Sequence, residues 1–192
     1  SRYRNDDDDG DDNNDETITT THGNKIYFYD HISKKSVLNL FIEVEKLTNK
    51  LTHESQLYGF EPIIELHIHS DGGDLYAGIS AYDILQKNTI PIHTIIEGEA
   101  CSAATLLALA GEKRYITEHS MILVHQLRTW FSGKHNDLQD ELKTSDKLMK
   151  TLSNIYKTHT KLTDTKLEKL LQREEHLSEQ ECLTMGFVDE IY

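Results

Sequence analysis

The chain has 192 residues, 37% of them apolar and 28% charged, and that length fits one ordinary domain with a real core. Its 20 basic residues against 33 acidic ones give a formal charge of −13, which disfavours non-specific nucleic-acid binding. No run approaches the roughly 18 apolar residues of a membrane helix, and the opening SRYRNDDDDGDDNNDE does not read as a secretory signal. Cys101 and Cys182 are too few for a disulfide framework, which points to a reducing compartment.

Residues 1–24 combine an acidic run with TITTTHGN and hold almost nothing apolar. They are expected as a mobile segment outside a single domain spanning 25–192. KIYFYDHI then has strand character. In residues 36–51, Val37, Leu40, Phe41, Val44, Leu47 and Leu51 recur at steps of three and four, a helical stripe. Two strand–turn–helix units follow. IIELHIHS is a strand, DGGD its turn and LYAGISAYDILQK a helix; IPIHTIIEGEA is a strand ending in Cys101–Ser102, and SAATLLALAG a helix stopped by Gly111. RYITEHSMILVHQ supplies one or two strands, 137–158 a long amphipathic helix and TDTKLEKLLQRE a shorter one. Ser178-x-x-Glu181 is a capping box opening a short helix that Gly186 closes before FVDEI. Strands alternating with helices predict an α/β domain with a mainly parallel sheet.

Ser102 follows a strand and opens a helix in the setting G-E-A-C-S-A-A. Small neighbours leave its hydroxyl accessible, and the amides at the helix start would face a developing oxyanion. The plain alternative is an N-cap serine. His125, ending the strand MILV, is a candidate base, and Glu174 or Glu175 could orient it, since a triad is defined by geometry and not by chain order. The paired glycines of Ser70-Asp71-Gly72-Gly73-Asp74 let backbone approach a ligand closely, or simply make a good turn. Two other chemistries compete with this one. His67-Ile-His69-Ser-Asp71 resembles the first metal motif of the metallo-β-lactamase fold, but Gly72 stands where that motif continues with His. A Cys101–His125 thiol pair is opposed by the position of Cys101 just before the helix, which suits a small buried hydrophobe.

Together, IHSDGGDLYAGISAYDIL, EGEACSAATLLALAGEKRYITEHSMILVHQ and HLSEQECLTMGFVDEIY resemble the proteolytic subunit of the Clp protease, a family of compartmentalised serine peptidases. The family pattern is S-P-G-G-x-x-x-A-G-x-x-I-Y-D, then G-x-A-A-S-M-G-x-x-L-L-x-A-G, then R-x-x-x-P-x-S-x-x-x-x-H-Q, then L-S-x-x-E-A-x-x-x-G-x-V-D. The spacing matches from about Ile64 to the C-terminus. The resemblance implies the Clp-protease/crotonase α/β fold: stacked βα units forming a head, with a handle helix over 131–160. It puts Ser102 on the nucleophile, His125 on the general base, Gly73 and Ala103 on the oxyanion-hole amides, and Glu174 on the family's Asp. No metal or organic cofactor is implied. Protein or peptide substrates are implied, together with rings of seven that stack by their handles and an AAA+ unfoldase partner of the Clp type; nucleic acid and membrane are not.

The sequence also departs from the pattern. Asp71 replaces the Pro of P-G-G, Glu118-His119 a Pro region, LRTW the P-L-G-G after His125-Gln126, and Glu175 an Arg that helps join rings. Such drift resembles divergent subunits of plastids, apicoplasts and viruses; the cytoplasm is otherwise the expected setting. Two further readings stand beside the peptidase: a catalytically weak structural subunit of a mixed ring, and a crotonase-like acyl-CoA enzyme using the amide pair without a nucleophile.

Overall fold

A computed structural model describes residues 18–126 and 134–192. The acidic run, LRTW and the first residues of the expected handle lie outside the described residues. The elements in chain order are β1 (Thr20–His22), β2 (Lys25–Tyr29), α1 (Lys34–Tyr58), β3 (Ile64–Ser70), α2 (Leu75–Gln86), β4 (Ile92–Cys101) and α3 (Ala104–Leu109). They continue with β5 (Lys113–Ile116), β6 (Met121–Leu123), α4 (His135–His159), α5 (Asp164–Gln172), β7 (His176–Ser178), α6 (Glu179–Met185) and β8 (Glu190–Ile191). The sheet runs β1-β2-β3-β4-β5-β8, with β6 pairing both β4 and β7. β1–β2 and β6–β7 are antiparallel; the other pairs are parallel, as strands joined through helices must be.

Successive side chains of β3 explain the layering. Ile64, Leu66, Ile68 and Ser70 are buried on the face packed with α1, α2 and α3, while Glu65, His67 and His69 lie on the other. The helical stripe of α1 buries Val37, Leu40, Val44, Leu47 and Leu51 in the same core. This helix runs seven residues past its stripe, to Tyr58, because nothing stops it before Gly59, which ends it at φ 72. Every residue of α3 is buried, so α3 is the central helix of the core. Its Ala108 carbonyl accepts a bond from the Thr94 hydroxyl at 2.7 Å.

Three further features differ from expectation. The folded chain begins before Lys25, because Thr20–His22 pairs with β2. α3 spans 104–109 instead of 102–111, since Ser102 adopts φ 53 and cannot start a helix. His176–Ser178 forms a short strand ahead of the capping box, which is present as expected, with Glu181 accepting from the Ser178 amide at 2.9 Å. The C-terminal half of α4 buries Leu152, Ile155 and Tyr156, whereas Leu138 and Leu142 near its start are exposed.

Candidate active site

The site is built by a corner in β4. Its first half pairs with β5 through His93–Ile96, its second with β6 through Glu99–Cys101. Gly98 makes the change of partner at φ 75, its amide donating to the Ser120 hydroxyl at 2.6 Å, and the register against β3 shifts between Ile68 and Ser70. The chain then leaves the sheet at Ser102, whose amide donates to the Leu123 carbonyl at 2.8 Å. A positive φ in a non-glycine residue is strained and recurs at sharp strand-to-helix turns that expose a side chain. Ser102 does not cap α3: Ala103 stands at the N-cap without a side-chain bond. Among the described residues the Ser102 hydroxyl has no hydrogen-bond partner.

The glycine turn is pinned beside it. Ile32 donates to the Gly72 carbonyl at 2.7 Å and accepts from the Asp74 amide at 2.8 Å. A Cβ on Gly73 would lie 2.2 Å from the Ile32 carbonyl oxygen, so that position requires glycine. Asp74 then caps α2 through the Ala77 amide at 2.7 Å. Among the described residues, neither the Gly73 amide nor the Ala103 amide has a partner. Ser102, His125, Gly73 and Ala103 line one cavity of about 140 Å³, with Leu75, Gln126, Leu152 and Tyr156.

The chain matches the Clp protease family model over residues 20–192. It is 31% identical over 179 residues to the ATP-dependent Clp protease proteolytic subunit of Deinococcus radiodurans, covering 90% of this chain and 88% of that one. The chain belongs to the Clp protease family. Its mixed α/β architecture is of the Clp type, and its activity is peptide-bond hydrolysis.

In this Clp protease, His125 Nδ1 lies 2.6 Å from the Gln126 carbonyl oxygen. A carbonyl only accepts, so in the neutral ring Nδ1 carries the proton and Nε2 keeps the lone pair. Among the described residues no hydrogen bond joins His125 to Ser102. Glu174 is exposed in the α5–β7 connection and does not line the cavity. The β6–β7 ladder ends at Leu123↔His176; continued by two residues, its register sets His125 opposite Glu174. Gln126 donates to the Leu171 carbonyl at 3.0 Å, which keeps this strand end against α5.

Tyr156 is a site residue that the amphipathic pattern of 137–158 does not mark. Its hydroxyl lies 2.7 Å from Thr105 Oγ1, which donates to the Ser102 carbonyl at 2.6 Å. Thr105 has one proton, so Tyr156 must donate to Thr105. Burial pushes the phenol up to about 12. A hydroxyl on an otherwise apolar helix face is the signal that sequence reading had at hand.

The H-x-H-x-D residues do not converge. His67 is buried with Nδ1 2.7 Å from Glu97 and Nε2 3.3 Å from Glu65, His69 is exposed, and Asp71 lies 3.1 Å from His31. Cys101 is buried, and its thiol donates to Glu99 at 3.3 Å, away from His125. Burial, then Glu99, pushes that thiol up to about 12. No described helix is long and apolar enough to cross a membrane.

Proposed function

We propose that the chain is a serine endopeptidase subunit in which Ser102 is the nucleophile and His125 its general base. The observation that carries this is the Ser102 hydroxyl on a strained turn, sharing its cavity with His125 and with two amides that, like the hydroxyl, have no partner among the described residues. His125 Nε2 takes the Ser102 proton as the oxygen attacks the scissile carbonyl. The Gly73 and Ala103 amides donate to the oxyanion, the imidazolium returns its proton to the leaving amine, and water resolves the acyl-enzyme. Glu174 acts on the imidazolium charge, since in the described conformation the Gln126 carbonyl already holds the neutral tautomer. The substrates are unfolded polypeptides. The peptidase domain includes β1 and so starts before Lys25, and α4 forms the handle. Chains assemble into seven-membered rings that stack through the handles and receive substrate from an AAA+ unfoldase. Exposed Leu138 and Leu142 in the N-terminal half of α4 support the stacking.

The absent Ser102–His125 bond favours one second reading, a subunit that completes a ring without hydrolysing peptides until its site rearranges. A fluorophosphonate probe separates the two. Labelling of Ser102, with small-peptide hydrolysis abolished in Ser102→Ala, establishes the serine peptidase; no labelling in the assembled particle leaves the structural subunit. Glu174→Gln should lower kcat while Glu175→Gln does not. The reverse would put the acid one residue later.

A further inference from the structure

Three metal-ligating side chains converge on the sheet beside the Ser102 cavity without lining it: Glu99, Cys101 and His176. Strand register brings them together. Cys101 pairs with Leu123 of β6 and Leu123 pairs with His176 of β7, so all three side chains leave the sheet on one side. Glu99, two residues before Cys101 on β4, shares that side. One ligand atom from each of the three lies within 4.8 Å of the other two. The Cys101 thiol already points at Glu99, donating at 3.3 Å, so a proton occupies the space between two anionic donors. His176 is exposed and borders an open pocket of about 340 Å³, lined also by His69, Gly98, Glu99, His119 and Met121, which gives a path from solvent.

We propose that Glu99, Cys101 and His176 form a binding site for one zinc-class divalent cation. The donor set selects the metal. A thiolate, an imidazole and a carboxylate suit Zn²⁺ or Co²⁺, whereas Mg²⁺ and Ca²⁺ take oxygen ligands. Binding breaks the Cys101 S–H bond and forms a metal–sulfur bond, with the proton released to solvent; thiolate and carboxylate then cancel the two positive charges. Three protein ligands leave a fourth position for water. Tetrahedral contacts of about 2.0–2.3 Å bring donors closer than 4.8 Å, a movement that the exposed His176 ring supplies by rotation. The bound ion would tie β4, which leads into Ser102, to β7, which follows Glu174.

The test is titration of the full chain with Co²⁺, read by absorbance, and with Zn²⁺, read by equilibrium dialysis. One equivalent of Co²⁺ should give an intense thiolate-to-cobalt charge-transfer band. Cys101→Ala and His176→Ala should each remove the band and weaken Zn²⁺ binding by more than about tenfold, a loss of more than 1.4 kcal/mol. Cys182→Ala should keep both. Saturating Zn²⁺ should raise the melting temperature of the wild type and not that of His176→Ala. His176 is exposed, so its removal leaves the core intact. No cobalt–thiolate band, or a band that survives Cys101→Ala and His176→Ala, overturns the site.

Discussion

Gly72 and Ser102 are in contact through a slot that admits no side chain. A Cβ placed on Gly72 would lie 2.9 Å from Ser102 Cβ and 2.6 Å from the Cys101 carbonyl oxygen. Gly72 itself adopts φ 100, where other residues are strained. The glycine turn and the serine turn therefore hold one another in place.

Gly72→Ala should act on both turns at once. Backbone strain and the clash together should cost about 2 kcal/mol or more, read from the urea midpoint. Labelling of Ser102 by the fluorophosphonate should fall even well below the unfolding transition. Unchanged labelling in a folded variant would show that the two turns are independent.

Tyr156→Phe should loosen the link from α4 to the Ser102 turn. The lost hydrogen bond in a fully buried place should cost about 1–2 kcal/mol. Peptide hydrolysis should lose kcat more than KM, because the lost bond supports, through Thr105, the carbonyl of Ser102. The wild type should also lose stability in alkali. The folded phenol sits at about 12 against 10.0 unfolded, so its contribution is complete below pH 10 and disappears as pH rises toward 12. Tyr156→Phe should show a flatter stability profile over that window in chemical denaturation.

Asp189→Asn should release the C-terminal edge. Arg114 grips Asp189 through Nη2 at 2.7 Å, Nε at 3.2 Å and its own amide at 2.9 Å, and donates through Nη1 to the His159 and Gly186 carbonyls. Burial opposes ionisation of Asp189, but the Arg114 bonds and charge outweigh it and hold the carboxyl below its usual range. The contribution is thus present above the ordinary value of 3.8 and lost as pH falls through the lower folded one. Asp189 is partly exposed, so the substitution should cost only about 1–2 kcal/mol at neutral pH. Acid titration followed by circular dichroism should show a shallower loss in the variant.

Leu142→Glu should separate assembly from folding. Leu142 is 58% exposed, so its change should leave the stability of the chain within about 0.5 kcal/mol. If handles stack rings, particle mass by light scattering should fall to that of a single ring. An unchanged mass would move the ring contact elsewhere.

What the amino-acid order determined by itself is what depends on near neighbours. The stripe of α1, the alternation of β3, the capping box at Ser178 and the stop at Gly186 are each written within a few residues and are present in the fold. Ordered motifs likewise marked Ser102, His125, Gly73 and Ala103, which share a cavity. Tertiary structure alone decided the rest. The change of partner of β4 at Gly98 depends on β5 and β6 competing for one edge. The positive φ of Ser102 occurs where its amide is held by the carbonyl of Leu123, a residue of another strand. The hydroxyl relay from Tyr156 spans 51 residues of chain, and the approach of His176 to Cys101 is set by two strand registers. Such contacts carry no short-range signal, because each segment would form its helix or strand whichever partner it met.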